Sequence, residues 1–347
     1  MFERRDGYTI LPGFVDLHVH FREPGFSAKE TVSSGSRAAL RGGYAAVCAM
    51  PNLSPPPDTP EHLQIELDII ARGSVLPVFP VGCITMGQRG EGVLSEMEAL
   101  APHVCGFSDD GLGIQEGRLM RDAMERAKAA DKPILSHCED KSLGDGPASE
   151  WVPLARDLEL ARQTGCHYHA CHVSTKESVE LIRKAKQVGA PVTAETAPHY
   201  LLLTENDVED DGRFRMNPPL RSEEDRIALL EGLLDGTIDC VATDHAPHTR
   251  EEKSRGFAGS ACGIVGLETA FPVLYTKLVR TGVMTLEKLV EVMADNPCRL
   301  LERWTGCKIG GTYAWDLEQK YVIDPEKFES RGRATPFAGW EVYGICK

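Results

Sequence analysis

The strongest constraint on the fold is a regular alternation of apolar, strand-length runs with helical segments. Eight such runs follow one another: TILPGFVDLHV, YAAVCAMP, VLPVFPVGCI, VCGFSDDG, PILSHCED, YHACHVST, APVTAETAPH and IDCVATDHAPH. Strand–helix alternation of this kind implies a parallel sheet with right-handed crossovers. Eight units within about 250 residues predict an α/β fold of the (β/α)8 TIM-barrel type.

The segments between these runs carry helix start and stop signals. Several open with Ser, Thr or Asp and close with Gly, as helix capping requires. The predicted helices are SAKETVSSGSRAALRGG, TPEHLQIELDIIARG, EGRLMRDAMERAKAADK, ASEWVPLARDLELARQTG, STKESVELIRKAKQVG and SEEDRIALLEGLLDG. A doubly wound open sheet is the alternative architecture, but no glycine fingerprint follows the first run.

The pattern changes near residue 305, where the alternation ends and a polar, glycine-containing tail begins. We therefore predict a barrel domain over residues 8–300 and a small β-rich C-terminal appendage over 305–347 packed on it. The net charge of -14 argues against nonspecific nucleic-acid binding. Eleven dispersed cysteines, with no CxxC pair, no apolar leader and no membrane-length segment, predict a cytoplasmic protein with reduced thiols and no membrane contact.

Polar residues end several of the runs, and barrel enzymes carry their chemistry at the carboxyl ends of strands. His18, His20 and Arg22 share a two-residue spacing, which predicts that all three point to one strand face. A His-x-His pair alone is weak evidence for a metal, because hydrogen-bonded interior histidines are common. Four further candidates end other runs: Asp110, His137, His172 and Asp244. Four imidazoles and two carboxylates suit two divalent metals of the zinc class, with Asp110 as the bridge.

Other polar residues are assigned structural roles. The surface residues of predicted helix or loop are His62 and His103, and those assigned to packing on the sixth run are His167 and His169. Three residues adjoin the strand ends without being expected to bind metal: Asp109, Glu195 and His199. The cysteines are interpreted as small apolar fillers, and only Cys262 is placed near the site.

Eight motifs together resemble those of bacterial dihydroorotases of the aspartate-bridged zinc type. They are LPGFVDLHVHFREPG, GGYAAVCAMPN, GFSDDG, LSHCED, CHVSTKES, MNPPLR, ATDHAPH and GIVGLETAF, and they span roughly residues 11 to 300. The resemblance implies an amidohydrolase-superfamily barrel with two zinc ions per subunit. It also implies reversible cyclisation of N-carbamoyl-L-aspartate to L-dihydroorotate in pyrimidine biosynthesis. Compared with that family, the stretch before the first barrel strand is short.

The resemblance implies a role for each matching residue. One zinc would be bound by His18 and His20, and the other by His137 and His172. Asp110 would bridge the two, and Asp244 would bind a metal and act as the catalytic proton carrier. Contacts to substrate are implied for a further set: Arg22, Asn52, Asn217, His248, Cys262 and Gly263. Of these, Arg22 and Asn52 would hold the substrate carboxylate.

Related families offer alternatives. Dihydropyrimidinases and allantoinases resemble the chain at the first histidine pair, but they usually bridge their metals with a carboxylated lysine, where this chain has SDDG. Dihydroorotate carries a carboxylate, as Arg22 and Asn52 require, whereas hydantoins and allantoin do not. A third alternative is an inactive scaffold partner of aspartate transcarbamoylase. Such chains typically lose metal ligands, whereas all six candidate ligands are present here. The resemblance implies a homodimer and leaves assembly with aspartate transcarbamoylase open.

Overall fold

The structure is a computed structural model that describes residues 2–347. Its strands are β1 Arg4–Arg5, β2 Tyr8–Pro12, β3 Phe14–Val19, β4 Tyr44–Ala49, β5 Val78–Pro80, β6 Gly82–Cys83, β7 Phe107–Ser108, β8 Ile134–Ser136, β9 Tyr168–Ala170, β10 Val192–Thr196, β11 Cys240–Val241, β12 Thr312–Val322 and β13 Glu341–Cys346. Its α-helices are α1 Val32–Arg41, α2 Pro60–Gly73, α3 Met97–Leu100, α4 Gly117–Ala129, α5 Ala148–Thr164, α6 Lys176–Gln187, α7 Pro198–Leu202, α8 Glu223–Asp235, α9 Arg250–Lys253, α10 Gly256–Gly259, α11 Ala270–Leu274, α12 Leu286–Val290 and α13 Asn296–Thr305. Two π-helical segments, Tyr275–Val279 and Glu291–Asp295, continue α11 and α12.

The barrel strands form two parallel sheets in chain order, one of β3 to β5 and one of β6 to β11. The third strand of the barrel is interrupted between β5 and β6 at Val81, whose N–H donates to the carbonyl of Ala49 at 2.9 Å. A parallel bridge between Val19 and His245 joins the first barrel strand to the chain just after the last one. The predicted α/β barrel fold class is confirmed.

All six predicted helical segments are also confirmed, as α1, α2, α4, α5, α6 and α8. Their ends follow local chemistry, since the side chains of Thr31, Thr59, Thr175 and Ser222 each accept a backbone N–H of the first turn. Within residues 2–347, no helix is long and apolar enough to cross a membrane.

The first apolar run is two strands and not the single strand that we predicted. β2 pairs with β12 in an antiparallel sheet of order β1-β2-β12-β13, whereas β3 enters the barrel. The chain divides at Gly13, where a Cβ atom would lie 2.6 Å from the Cβ of Ala45. Residues 8–12, which we assigned to the barrel, therefore pair with the small sheet, and the barrel strands begin at β3. The division into two domains itself stays a prediction.

An aromatic cluster fastens the small sheet to the barrel. Trp315 of β12 is 2% exposed, and its ring centroid lies 4.2 Å from that of Phe271 and 5.5 Å from that of Phe14. The turn after α1 accommodates this indole only because residue 43 is glycine. A Cβ atom on Gly43 would collide with the Trp315 ring. The backbone of Gly43 is also left-handed, with φ +81°.

Replacing Trp315 with alanine should lower the free energy of unfolding by about 3–5 kcal/mol, because it removes a large buried ring and leaves a cavity. Urea denaturation followed by circular dichroism measures the change. Val322→Ala on the same strand is the control, since Val322 is 52% exposed and such substitutions change stability by about 0.5 kcal/mol or less. Equal effects of the two substitutions would contradict the anchoring role of Trp315.

Candidate metal centre

Six side chains from five barrel strands meet at the carboxyl end of the barrel. His18 lies in β3, and the other five follow strand ends: His20 after β3, Asp110 after β7, His137 after β8, His172 after β9 and Asp244 after β11. All six are buried. The structure thus brings together every residue that the sequence analysis named as a metal ligand.

The carboxylate of Asp110 lies in the middle of four imidazoles. Its Oδ1 is 3.3 Å from Nε2 of His18, 3.5 Å from Nε2 of His172 and 3.9 Å from Nδ1 of His137. Its Oδ2 is 3.5 Å from Nε2 of His20. One carboxylate therefore faces both histidine pairs, which is the position that a bridging ligand needs.

Asp244 lies beside the pair His18 and His20, with its Oδ1 3.2 Å from Nε2 of His20 and 3.7 Å from Nε2 of His18. Two of the atoms that face the centre, Nε2 of His18 and Oδ1 of Asp110, are buried without a hydrogen bond from residues 2–347. Zinc bonds of about 2.0–2.1 Å place neighbouring ligand atoms about 3.3 Å apart in a tetrahedron. These residues therefore fit divalent metals with nitrogen and oxygen ligands.

The charges of the centre favour ionised carboxylates. Burial by itself would raise the pKa of Asp110, but His18 and His172 outweigh it and hold that pKa well below its usual range. For Asp244, burial is likewise outweighed, first by the hydrogen bond from His20, and the pKa falls to about 2. Both side chains are therefore carboxylates at neutral pH, the form that binds a metal.

Two glutamates lie behind the histidines and determine which nitrogen of each ring faces the centre. Nδ1 of His18 is 3.0 Å from Oε1 of Glu195, and Nε2 of His137 is 3.0 Å from Oε2 of Glu139. A carboxylate only accepts hydrogen bonds, so these ring nitrogens carry the protons and the opposite nitrogens are left for a metal. Glu195 also accepts from Nε2 of His169 at 3.1 Å. The assignment of His169 to packing was therefore incomplete.

Three residues of the site have left-handed backbones, which turn their side chains at the strand ends. They are Arg22 (φ 62°), His172 (φ 34°) and Asp244 (φ 47°). Non-glycine residues in this region cost about 1–3 kcal/mol each and concentrate at functional sites. Our prediction that Arg22 shares a strand face with His18 and His20 is wrong, since β3 ends at Val19 and the backbone turns before Arg22.

A cavity of about 150 Å³ opens above the centre. Five of the residues predicted to contact substrate line it: Arg22, Asn52, Asn217, Cys262 and Gly263. His248 does not line this cavity and stands behind Cys262, with Nε2 2.7 Å from the Cys262 carbonyl oxygen. The N–H of Gly263 already donates to the carbonyl of Arg215 at 2.9 Å.

Two cavity residues have unused polar groups. The amide nitrogen of Asn52 donates to the carbonyl of Asp110 at 2.8 Å, and its Oδ1 is buried without a partner from residues 2–347. Among the same residues, no carboxylate forms an ion pair with the guanidinium of Arg22, whose nearest polar contact is the Pro247 carbonyl at 3.4 Å. The cavity therefore holds a forked cation that forms no ion pair of its own and feels the charges of Asp244 and Asp110 from the centre.

Supporting aspartates hold the strand ends. As predicted, Asp109 points away from Asp110, and its carboxylate accepts the N–H groups of Ile84, Thr85 and Gly90. Sequence reasoning missed Asp16, which accepts from the N–H of His18 and from the N–H of Thr243 and so ties β3 to the chain after β11. Its signal was an acid within the apolar strand FVDLHV, and burial raises the pKa of Asp16 to about 7.

Comparison with known proteins identifies relatives. A family model described as "Dihydro-orotase-like" matches residues 7–156. The chain is 46% identical to a dihydroorotase of Anoxybacillus flavithermus, over 98% of this chain and 85% of that protein. It is 48% identical to a dihydroorotase of Staphylococcus epidermidis, over 97% of this chain and 85% of that protein.

Solved structures with similar folds are hydantoinases. The L-hydantoinase (dihydropyrimidinase) of Arthrobacter aurescens superposes with a TM-score of 0.87 at 25% identity, over 98% of this chain and 83% of that chain. The D-hydantoinase of a Thermus species superposes with a TM-score of 0.83 at 24% identity, over the same shares. The barrel architecture is therefore common to both groups, while the much higher sequence identity lies with the dihydroorotases.

Replacing Glu195 with glutamine should weaken the binding of a divalent metal, with zinc as the probe, about 10–100-fold, because the partner that holds the His18 ring is changed. Competition with a chelator, followed by metal analysis of the protein, measures the loss. Glu66→Gln is the matched control, since Glu66 is also a buried glutamate, 2% exposed, and its Oε2 lacks a hydrogen bond from residues 2–347. Unchanged zinc affinity in Glu195→Gln would contradict this role.

Proposed function

The chain belongs to the dihydroorotase family, and on that premise we propose that its metal centre catalyses the reversible cyclisation of N-carbamoyl-L-aspartate to L-dihydroorotate in pyrimidine biosynthesis. The reaction makes or breaks a cyclic amide, a bond that needs a strong nucleophile and a polarised carbonyl. The residues that would serve it are the six of the candidate metal centre and those that line the cavity above it.

The observation that supports this substrate is the half-buried guanidinium of Arg22, which forms no ion pair with a carboxylate within residues 2–347. A guanidinium offers two parallel N–H donors that match a carboxylate, so an unpaired guanidinium in a cavity favours an anionic ligand. Dihydroorotate carries a carboxylate beside its reacting amide ring, and N-carbamoyl-L-aspartate keeps the same carboxylate, whereas hydantoin has none. Asn52 lines the same cavity and has a second amide hydrogen to offer.

Two zinc ions are proposed as the metals. One would be held by His18, His20 and Asp244, the other by His137 and His172, with Asp110 shared between them. Bound zinc supplies Lewis-acid polarisation of the substrate carbonyl and lowers the pKa of a water to about 7. Support for this assignment comes from the nitrogen and oxygen ligand set, the ligand-to-ligand distances and the unpartnered atoms that face the centre.

Asp244 is the proposed proton carrier. Its carboxylate lines the cavity and is ionised at neutral pH, so it can accept a proton from the attacking water. It would then deliver that proton to the ring nitrogen that leaves as the amide opens, and the same groups would act in reverse during cyclisation. Burial of the centre excludes competing water and strengthens each of these electrostatic contacts.

The zinc-loaded enzyme should hydrolyse dihydroorotate and not hydantoin or allantoin.

Arg22→Lys should raise KM for dihydroorotate about 10–100-fold, because an ammonium loses the paired hydrogen bonds of the guanidinium. Steady-state kinetics and metal analysis of the same preparations measure both effects, and zinc content should not change.

Arg37→Lys is the control for this substitution, since Arg37 is a half-exposed surface residue paired with Glu329. Preferential turnover of hydantoin by the unmodified enzyme would assign the chain the reaction of its structural neighbours. An unaltered KM in Arg22→Lys would exclude Arg22 as the carboxylate ligand.

Asp244→Asn should lower kcat about 10²–10⁴-fold, because an amide cannot accept the proton. Zinc content must be measured in parallel, since Asp244 also contacts the metal ligands His18 and His20. Asp324→Asn, at an exposed helix cap, serves as the control. Normal turnover by zinc-loaded Asp244→Asn would contradict the role of proton carrier.

The remaining proposals rest on the family alone. They are a cytoplasmic location, a homodimer and a possible assembly with aspartate transcarbamoylase. An inactive scaffold role would be favoured by zinc-loaded protein that fails to turn over dihydroorotate in either direction.

A further inference from the structure

A cluster of charged residues beside the cavity is not used by the mechanism above. Lys29 lies in the loop after β3, His248 lies in the loop after β11, and Glu252 lies in the short helix α9 that follows that loop. Nζ of Lys29 is 3.3 Å from Nδ1 of His248 and 2.9 Å from Oε1 of Glu252. The lysine therefore links the loops that follow the first and the last barrel strands.

The two shortest polar contacts of the His248 ring determine its tautomer. Nε2 lies 2.7 Å from the carbonyl oxygen of Cys262, and a carbonyl only accepts, so Nε2 carries a proton. Nδ1 faces the ammonium of Lys29, which only donates, so Nδ1 presents its lone pair. Both contacts are satisfied at once only by the neutral ring protonated at Nε2.

Two longer contacts of the ring favour the opposite tautomer, because Arg22 only donates and Glu252 only accepts, so the two shorter contacts fix the assignment. The charged groups that face the ring are Arg22, with Nη2 3.5 Å from Nε2, Lys29, and Glu252, with Oε2 3.5 Å from Nδ1. Burial, followed by the charges of Arg22 and Lys29, lowers the pKa of His248 to about 4, against the opposing effects of the Cys262 carbonyl and Glu252. The imidazole is therefore neutral throughout the physiological range.

Lys29 also affects the charge of the carboxylate pocket. Glu252 is the acidic side chain that Lys29 binds, and its charge also acts on the guanidinium of Arg22. The carbonyl that His248 holds belongs to Cys262, which lines the cavity together with Gly263. Loss of the Lys29 contact would therefore disturb both the charge environment of Arg22 and the position of the Cys262–Gly263 backbone that lines the cavity.

We infer that Lys29 is a positioning residue for substrate binding: by donating to Nδ1 of His248, it holds that ring as a neutral Nε2–H donor on the Cys262 carbonyl, beside an unpaired Arg22. The inference rests on the proposed function, because Arg22 and the Cys262–Gly263 backbone are the proposed substrate contacts. Lys29 does not line the cavity, so it acts through His248 and Glu252.

The test compares Lys29→Met and Lys29→Arg with Lys186→Met in the zinc-loaded protein. Lys186 is the matched control, since its side chain is 24% exposed and pairs with Asp239, while that of Lys29 is 22% exposed and pairs with Glu252. Lys29→Met should raise KM for dihydroorotate roughly ten-fold, the loss expected for one hydrogen-bond network, with kcat and zinc content within about two-fold. Lys29→Arg should restore most of the affinity, because arginine also donates and also pairs with Glu252.

Histidine NMR provides a readout that is independent of activity. Nitrogen-15 spectra, with the His248 signal identified by its loss in His248→Gln, should show the Nε2–H tautomer and no titration of this ring between pH 5.5 and about 8 in the unmodified protein. In Lys29→Met the His248 pKa should rise towards the ordinary value of about 6.5, and KM should acquire a pH dependence in the same range.

The outcomes separate this inference from the proposed function. An Nδ1–H tautomer in the unmodified protein, or a Lys29→Met variant that changes KM and the His248 titration no more than Lys186→Met does, would overturn the role of Lys29. Absence of dihydroorotate turnover in the unmodified protein would overturn the proposed function, while the NMR measurement would still decide whether Lys29 holds the ring.

Discussion

The arrangement of the site depends on one buried carboxylate that is shared by four imidazoles. Removing a charged group such as Asp110 from water costs several kcal/mol unless opposite charge or hydrogen-bond donors surround it. Those partners come from β3 and from the chain after β8 and β9, so they meet only if the strands keep their order and register. The bridge between Val19 and His245, which joins the first strand to the chain after the last, is therefore a condition for the centre as much as for the fold.

A common rule governs the histidines around the cavity: the group on one ring nitrogen determines what the other nitrogen can do. Carboxylates behind His18 and His137 fix the protons there and leave lone pairs towards the centre. At His248 the roles of the two partners are exchanged. The ammonium of Lys29 donates to Nδ1, and Nε2 therefore carries the proton and donates to the Cys262 carbonyl. The same residue type thus supplies candidate metal ligands at the floor of the cavity and, in our inference, a neutral hydrogen-bond donor at its wall.

Much of the fold could be predicted, because its signals are local. Apolar runs, helix caps and stop glycines each depend on a few neighbouring residues, and all eight runs and six helices appear where these signals lie. The first run was misread as one strand, because its division at Gly13 depends on a close approach to Ala45. Arg22 was assigned to a strand face because alternation assumes that the strand continues, whereas a left-handed backbone turns it into the cavity.

The sequence by itself determined the architecture and the six candidate ligands, since strand period, residue type and position at a strand end are properties of short segments. Tertiary structure alone decided the supporting contacts: Glu195 lies 177 positions from His18, and Lys29 lies 219 positions from His248. No local pattern marks such pairs. The physical reason is that a ring nitrogen takes its protonation from whichever group the closed barrel places against it, and that neighbour comes from a distant part of the chain.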